Sequence, residues 1–529
     1  MKPIRLVTGF LTVGVWTLAS RIFGFVRDVM IAGFLGSGPV AEAFLIAFSL
    51  PNMFRRFFAE GAFNTAFVPL FSKKLEAGED AEEFGRDAFS ALASFLIIFT
   101  LLAQLIMPWL VLAMASGFAG DVRFDLAVDF GRIAFGYILF ISLAALCSGI
   151  LNATGRFATA AAAPVLLNLV LVLAIWTSAA TYDGPAAEVL PGVDGTGLRI
   201  GTWMAWAVLV AGIAQVALVW WAAAQAGFAM RPRLPRLTPD LKRLAIIAAP
   251  AMLAGGVVQI NLLVGRQVAS FFDGAIAWLS YADRLYQLPL GVVGIAIGVV
   301  LLPDLSRRLS VGDDRGGRDA LSRAGEMAMA LTLPSAVALM VIPGPLIAVL
   351  FGRGAFGAED VAATALAVAV YGAGLPAFVL QKVLQPLYFA REDTRTPFRF
   401  AVIAMLINAV VAVGMAWAIG FVGAAIGTTV AAWAMVWLLG RGRAGMGAVA
   451  RFDERFRTRL PRIVLSALLM GVILYVLAWA LAPILAMSGL RWLALLALVA
   501  SGIVSYFAIG QMLGAVRLSE FRKALKRSG

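Results

Sequence analysis

The sequence predicts an all-α membrane protein that crosses the bilayer many times, and three observations support this fold class. Hydrophobic residues make up 61% of the 529 residues and charged residues only 14%, whereas soluble proteins average about a quarter charged residues. The apolar residues fall into windows of about 20, the length that a helix needs to cross the hydrocarbon core. Lys and Arg are concentrated in alternate connections between these windows, as the topology of membrane proteins requires.

Fourteen such windows follow one another along the chain, so both termini are predicted to lie on the same side of the membrane. The second and the eighth are the least regular, because charged residues and proline interrupt them. The windows cover residues 7–34, 40–71, 88–115, 131–153, 158–180, 200–226, 243–272, 275–304, 323–351, 362–390, 397–419, 421–440, 461–485 and 489–515.

The distribution of Lys and Arg gives the predicted orientation. If both termini are cytoplasmic, and basic residues near the ends of a window are counted with the adjoining connection, 31 of the 43 Lys and Arg residues fall on the cytoplasmic side and seven fall in the interior of the windows. Five fall on the opposite side, and these are Arg123, Arg132, Arg199, Arg353 and Arg491. This asymmetry follows the positive-inside rule. The formal net charge of +13 is therefore explained by topology, and a nucleic-acid surface is not expected.

Two pairs of segments indicate an internal repeat. VPLFSKKL (68–75) matches LPDLSRRL (302–309), and NATGRFATAAAAPVLLN (152–168) resembles YFAREDTRTPFRFAVIAMLIN (388–408). Six windows separate equivalent points, so the halves have the same orientation, which is the parallel repeat of many secondary transporters. We therefore expect an N-terminal lobe of six helices over residues 1–228, a C-terminal lobe of six over 229–442, and two additional helices over 443–529. Chance similarity between apolar segments is the alternative.

Eleven of the charged residues within these windows are assigned to the membrane, and the others lie near the ends of their windows. A charge at the centre of a membrane helix costs about 2.5–3.5 kcal/mol, so eleven facing lipid would cost about 30 kcal/mol, more than the stability of a typical domain. These residues must therefore face protein or a water-filled cavity, or reach the membrane interface. The basic ones are Arg21, Arg27, Arg55, Arg56, Arg266, Arg284 and Lys382, and the acidic ones are Asp28, Glu42, Glu60 and Asp283.

The spacing of these charges predicts some ion pairs and leaves an excess of arginine. Arg56 and Glu60 are four residues apart on one helix face, and Arg21 and Asp28 are separated by about two turns. With seven basic and four acidic residues, three positive charges remain. Arginine binds phosphate through a fixed fork of N–H donors. The pattern therefore predicts an anion-binding cavity, with the second helix bent at Pro51.

Several kinds of chemistry are not expected. The chain has no histidine and one cysteine, Cys147, so a histidine-based triad or a catalytic metal centre is very improbable. It also has no GxxxxGK[ST] motif for ATP hydrolysis. We predict a protein that is not an enzyme and uses no cofactor. Transport would draw on an ion gradient, the membrane potential or consumption of the product.

Three stretches resemble the MurJ/MviN family, the lipid II flippases of bacterial peptidoglycan synthesis. These are SRIFGFVRD (20–28), LPNMFRRFFAEGAF with the following AFVP (50–69), and YADRLYQLPLGVVGIAIGVVLLP (281–303). The resemblance runs from the first window to the last. It implies the multidrug/oligosaccharidyl-lipid/polysaccharide exporter superfamily, two six-helix lobes around a central cavity, and a hydrophobic groove formed by the last two helices. It also implies location in the bacterial inner membrane.

Position by position, the resemblance implies that the substrate-binding residues are Arg21, Arg27, Arg55 and Arg284. It matches Glu42 to an acidic residue that is more often aspartate in the family. We expect six other residues to line the cavity or to form ion pairs in support of these arginines: Ser20, Asp28, Glu42, Arg56, Glu60 and Asp283. Some members bind sodium in the C-terminal lobe, and the resemblance assigns no residues of this sequence to that site.

The function implied is movement of lipid II, a polyprenyl-pyrophosphate-linked disaccharide-pentapeptide, to the periplasmic face by alternating access. The arginines would bind the pyrophosphate, and the protein partners expected are the enzymes of cell-wall synthesis. Two alternatives remain open. One is an ion-coupled exporter of another polyprenyl-pyrophosphate-linked saccharide, and the other is a membrane scaffold that binds the precursor for other enzymes without transporting it.

Overall fold

A computed structural model describes residues 6–56, 58, 62–181, 184 and 188–516 of the chain. The described residues are almost entirely helical, with one small antiparallel hairpin between β1 (Glu188–Leu190) and β2 (Val193–Asp194). The predicted all-α class is confirmed at this level.

The helices follow one another along the chain with mostly short connections. Those before the midpoint of the chain are α1 (Leu6–Leu35), α2 (Pro39–Arg55), α3 (Ala62–Ala77), α4 (Ala81–Leu105), α5 (Met107–Met114), α6 (Val122–Ala134), α7 (Tyr137–Ala153), α8 (Phe157–Ala180), α9 (Gly195–Gln225) and α10 (Pro239–Ala269). Those after it are α11 (Ala275–Ser310), α12 (Asp314–Val341), α13 (Pro343–Leu350), α14 (Ala358–Phe389), α15 (Arg395–Ile419), α16 (Val422–Gly442), α17 (Glu454–Ala480), α18 (Ala482–Leu485) and α19 (Arg491–Met512).

Helix ends follow from local sequence. Asp or Thr side chains accept hydrogen bonds from backbone N–H groups at several starts, as Asp194 does from Gly197 in α9 and Thr238 does from Leu241 in α10, which satisfies donors that lack a partner within the helix. Pro is found in the first turn of α2, α10 and α13, where its missing N–H costs nothing. A short gap before Pro343 divides one apolar window into two helices, α12 and α13.

Ten of the predicted windows contain helices that are long and apolar enough to cross a membrane, counting only the described residues. The other four windows correspond to α1, to α2 with α3, to α10 and to α11. These four hold ten of the eleven internal charged residues. In the second window α2 ends at Arg55, Arg56 and Phe58 have π-helical hydrogen bonding, and α3 begins at Ala62. The eighth window lies within α11, one helix of 36 residues that continues through Pro289 and Pro303.

The chain divides into two compact units. The first comprises the described residues up to Ala277 together with Gly354–Phe356. In it α8 packs against α1 and α9, α2 packs against α6, and α10 packs against α3. Its core includes a row of phenylalanines, with Phe67 stacked 5.5 Å from both Phe71 and Phe84.

The second unit comprises Trp278–Arg353 and the described residues from Gly357 onward. Here α14 packs against α12 and α16, α15 packs against α16, and α17 packs against α12 and α19. The α12–α17–α19 contact has its own buried core, which includes Met470 and Leu498. In that core the Tyr506 hydroxyl donates to the Ala330 carbonyl at 2.6 Å. The outer faces of α17 and α19 carry many exposed large apolar side chains, as lipid-facing helices do.

Candidate functional site

Arg27 and Asp28 form a buried ion pair on α1. The Arg27 side chain donates to Asp28 Oδ1 from Nε at 2.9 Å and from Nη2 at 2.6 Å. Its Nη1 donates to Asn168 Oδ1 on α8 at 2.9 Å, and its guanidinium lies 5.5 Å from the centre of the Phe48 ring on α2. Arg27 is only 6% exposed. The sequence-based expectation that this charge faces protein is confirmed, and α1, α2 and α8 together hold it.

Ser20 belongs to the same cluster through Asn168. The amide nitrogen of Asn168 donates to the Ser20 carbonyl at 3.0 Å and lies 3.5 Å from the Ser20 hydroxyl. Asn168 thus accepts from Arg27 and donates to α1, which fixes the orientation of its amide. In the sequence Asn168 stands out only as the end of a repeat segment. Its burial near α1 depends on a contact between residues 141 positions apart, which a local pattern does not encode.

Arg21 lies apart from this cluster. Asp28 is paired with Arg27, and Arg21 is exposed on α1. Within the part of the chain that the structure describes, Arg21 forms no ion pair with Asp28, so the predicted pairing of these two residues is wrong. The adjacent arginine takes the carboxylate because the Arg27 fork reaches it with two N–H groups. The guanidinium of Arg21 is therefore exposed at the surface of α1.

Arg55 and Arg56 lie at the C-terminal end of α2. The helix includes Pro51 and ends at Arg55, and Arg56 is its C-terminal cap. Arg56 and Phe58 have the wider hydrogen-bond pattern of a π-helical turn, a feature often found at functional sites. Arg55 is half-buried and Arg56 is exposed. Glu60, the predicted partner of Arg56, lies outside the described residues.

An aromatic cluster packs around the C-terminal end of α2. The Phe54 ring meets Phe99 at 5.1 Å and Phe135 at 5.8 Å, both edge to face. Phe58 is buried and lies 5.4 Å from both Phe95 and Phe99. These aromatic contacts anchor the chain on both sides of the arginines to α4 and to the α6–α7 junction. The phenylalanines of the stretch thus position the arginines between them.

Arg284 and Asp283 lie on α11 in the second unit. Arg284 is exposed, and the Asp283 carboxylate accepts a hydrogen bond from the Gln287 side chain. Neighbouring side chains pack against this part of α11. Trp278 Nε1 donates to Asp360 Oδ1 at 2.7 Å, and the Tyr286 ring stacks 5.3 Å from Phe378. The arginine is therefore exposed on a helix that packs against its neighbours through Trp278 and Tyr286.

Glu42 is the most deeply buried of the predicted site residues that the structure describes, with 1% of its surface exposed. Its Oε2 accepts from Arg123 Nη1 at 3.0 Å, and its Oε1 accepts from the backbone N–H of Ile276 at 3.0 Å. Arg123 also pairs with Asp121 at 2.7 Å and Asp273 at 2.9 Å. The partner of Glu42 is thus Arg123 of α6, a residue that the sequence places only in a connection outside the membrane.

Further contacts join the same region of the first unit to segments from later in the chain. The Ala355 N–H donates to the Gly33 carbonyl at 2.8 Å. The Gly117 N–H donates to the Ser270 hydroxyl at 3.0 Å, and Gln267 Oε1 accepts from the Ser116 N–H at 2.9 Å. We call these contacts, with those of Glu42 and Arg123, the clasp.

The clasp depends on close backbone approach. Gly354 has a φ of +57°, and a Cβ atom there would lie 2.0 Å from the Gly33 carbonyl oxygen. At Gly117 a Cβ atom would lie 2.5 Å from the Ser270 backbone. Any larger residue would therefore force these segments apart.

This sequence is similar to known proteins along most of its length. Residues 31–494 match the family model described as lipid II flippase MurJ. A protein of Rhizobium meliloti (strain 1021) named probable lipid II flippase MurJ is 44% identical over 99% of this chain and 97% of its own length. The chain belongs to the lipid II flippase MurJ family. This confirms the family resemblance seen in the sequence.

Solved structures agree with the MurJ family fold. A lipid II flippase MurJ in an inward closed conformation superposes with a TM-score of 0.76 at 24% identity, over 95% of this chain and 98% of that one. An inward-facing transporter of the MATE family in the MOP superfamily gives a TM-score of 0.63 at 15% identity, over 81% of this chain and 95% of that one. At these identities the likeness concerns the fold. It places the chain among multi-pass membrane proteins with the MurJ and MATE architecture.

Proposed function

We propose that this chain is a flippase that moves lipid II from the cytoplasmic to the periplasmic face of the bacterial inner membrane by alternating access. The observation that carries this proposal is membership of the MurJ family over nearly the whole chain, with relatives named lipid II flippases. Lipid II is the precursor of peptidoglycan, so the role belongs to cell-wall biogenesis and cell shape. No bond of the substrate is made or broken, and the protein is a transporter rather than an enzyme.

The pyrophosphate of the substrate would be bound by guanidinium groups. Arg21, Arg55 and Arg284 have exposed or half-buried side chains on helices that packing holds in place. A guanidinium offers paired N–H donors that match two phosphate oxygens. Arg27 contributes differently, because its carboxylate partner Asp28 already neutralises it. We assign Arg27 to shaping the surface around Ser20, and the other three to the anion itself.

We further propose fourteen membrane-spanning helices, arranged as lobes over residues 1–228 and 229–442 related by a parallel repeat, with two added helices over 443–529. Packing within each half supports the repeat, since α7 and α8 both pack against α9, and α14 and α15 both pack against α16. Both termini would be cytoplasmic, on the evidence of the Lys and Arg distribution. The chain would use no cofactor, take energy from a cation gradient or the membrane potential, and act beside the cell-wall synthesis enzymes.

The experiment that tests the function is translocation of labelled lipid II in inverted membrane vesicles, comparing wild type with Arg284→Ala at matched expression. The matched control is Arg307→Ala on the same helix, where the side chain is 77% exposed and pairs with Asp304. We expect the Arg284 variant to insert normally but to lose most translocation, and the Arg307 variant to retain it.

Three results would count against the proposal. Unchanged translocation in Arg284→Ala would remove this arginine from the anion site. Binding of lipid II without any translocation by wild type would favour a scaffold. Equal translocation of a different polyprenyl-pyrophosphate-linked saccharide would show that the substrate assignment is too narrow, because such a molecule presents the same pyrophosphate.

A further inference from the structure

The five basic residues predicted on the non-cytoplasmic side differ in their hydrogen-bond and ion-pair partners. Arg123 and Arg132 form ion pairs with carboxylates, and Arg199 donates to a threonine hydroxyl at 2.8 Å. Arg353 and Arg491 instead lie together where the end of α13 meets the start of α19. Among the residues that the structure describes, neither of these two forms an ion pair with a carboxylate. A side of the protein with few positive charges thus brings two of them together.

Each guanidinium is held by backbone carbonyls. Arg353 Nη2 donates to the carbonyls of Val349 at 3.0 Å and Leu350 at 2.8 Å, in the last turn of α13. Arg491 Nη1 donates to the Gly352 carbonyl at 2.9 Å. Basic side chains suit this position because the carbonyl end of a helix carries partial negative charge. These hydrogen bonds orient both guanidinium groups but use only some of their N–H donors.

Donors remain on both side chains. The Nε atoms of Arg353 and Arg491 are buried, and neither has a hydrogen-bond partner in the described part of the chain. A buried N–H group without an acceptor is costly. The two like charges also oppose each other, since burial and then the charge of Arg491 lower the pKa of Arg353. An anion with several oxygen acceptors would satisfy both the unmet donors and the unbalanced charge.

The surroundings indicate where that anion comes from. The Arg353 guanidinium lies 5.2 Å from the centre of the Trp492 ring, and tryptophan is enriched where a helix enters the membrane interface. Neighbouring apolar side chains are also exposed, namely Met487, Leu490 and Leu493, each between 46% and 62%. A surface of this kind faces lipid. An anion here is therefore expected to carry acyl chains.

We propose that Arg353 and Arg491 form a binding site for the phosphate of an anionic phospholipid headgroup, at the junction of α13 and α19. Given the orientation proposed above, the lipid belongs to the periplasmic leaflet. The site is separate from the proposed pyrophosphate-binding arginines and does not depend on which substrate the chain transports. Its bound lipid would bridge the last membrane helix to the end of α13.

The test is native mass spectrometry of the full-length protein in detergent with added phosphatidylglycerol or phosphatidylcholine. The variant is Arg353→Gln with Arg491→Gln. The matched control is Arg132→Gln with Arg199→Gln, which removes the same charge from the same predicted side. We expect phosphatidylglycerol to bind the site variant at least about tenfold more weakly than the control, because each guanidinium lost removes charge-assisted hydrogen bonds. Phosphatidylcholine binding should not separate the two variants.

Two outcomes overturn the proposal. Equal phosphatidylglycerol binding by both double variants would show that the arginines only brace the carbonyls of Val349, Leu350 and Gly352. Inorganic phosphate bound in the absence of lipid, with the same loss in the site variant, would make this a free-phosphate site and the lipid assignment wrong. If the site variant is not recovered as a monodisperse protein, Arg491→Gln alone against Arg132→Gln decides between the same outcomes, since Arg491 gives up one bond to a single carbonyl.

Discussion

Replacing Arg123 by alanine should destabilise the protein more than replacing its ion-pair partner Glu42. Arg123 contacts three carboxylates, those of Glu42 at 3.0 Å, Asp121 at 2.7 Å and Asp273 at 2.9 Å. Without Glu42 it keeps the other two. Without Arg123, Glu42 keeps the N–H of Ile276 at 3.0 Å but loses the positive charge beside it. The two single substitutions are therefore unequal.

The magnitudes follow from burial. Removing one partner of a buried ion pair costs about 3–5 kcal/mol, because an uncompensated charge is left behind. This applies to Arg123→Ala, since Glu42 is 1% exposed. Glu42→Ala should cost about 1.5–3 kcal/mol, the range for a lost hydrogen bond to a charged group. The Arg123 that remains still has partners, and the side chain of Asp273 is 92% exposed to solvent. In the double variant the carboxylate of Glu42 is gone as well, so adding Glu42→Ala to Arg123→Ala should raise stability.

The assay is thermal unfolding of the purified protein in detergent for wild type, both single variants and the double variant. The expected order of unfolding temperature is wild type, then Glu42→Ala, then the double variant, then Arg123→Ala. Arg132→Ala is the control, because its 3.9 Å contact with Asp129 is at an exposed surface and should change stability by no more than about 0.5 kcal/mol. A double variant less stable than both single variants would refute the reasoning.

Three further substitutions test other contacts, each by the same thermal unfolding assay. Asn168→Leu removes the amide oxygen that accepts a hydrogen bond from Arg27, and it should cost about 1–3 kcal/mol and reduce lipid II translocation. An unchanged unfolding temperature would contradict the stabilising role of this hydrogen bond. Gly354→Ala should cost about 2 kcal/mol or more, because the Gly354 backbone is left-handed. The control Gly344→Ala should be nearly neutral, because a Cβ atom there meets nothing within 4 Å. Equal effects of the two substitutions would count against the clasp. Tyr506→Phe should cost about 1 kcal/mol through its lost hydrogen bond, and a gain in stability would contradict that bond.

Much of the fold can be read from sequence because hydrophobicity is a local property. A run of apolar residues of sufficient length forms a helix in lipid whatever it packs against, since its backbone has no other partner there. Positions where packing competes with local preference are less predictable. Pro51 lies inside α2, which continues to Arg55. α11 likewise continues through two prolines, because neighbouring helices can satisfy the backbone groups that proline leaves free.

The site was only partly predictable for a related reason. The cost of exposing charge to lipid identified Arg27 and Glu42 as residues that must face protein or a water-filled cavity, or reach the membrane interface. It did not identify Asn168 and Arg123, because each lies far along the chain from the residue that it contacts. Asn168 is an ordinary polar residue in an apolar helix, and Arg123 is one arginine beside two aspartates. Only the fold reveals which of many similar residues is close.

The clasp also constrains how the protein can be assembled during synthesis. The first unit includes α10 and the segment Gly354–Phe356, although the predicted first lobe ends at residue 228. Its packing is therefore incomplete when that lobe leaves the ribosome. Ala355 is made 78 residues after Ala277, which takes roughly 4–16 s at about 5–20 residues per second. Until then the Gly33 carbonyl lacks its hydrogen-bond donor from Ala355, so a nascent chain released before this point would present an unfinished surface to the membrane insertion machinery and to quality-control proteases.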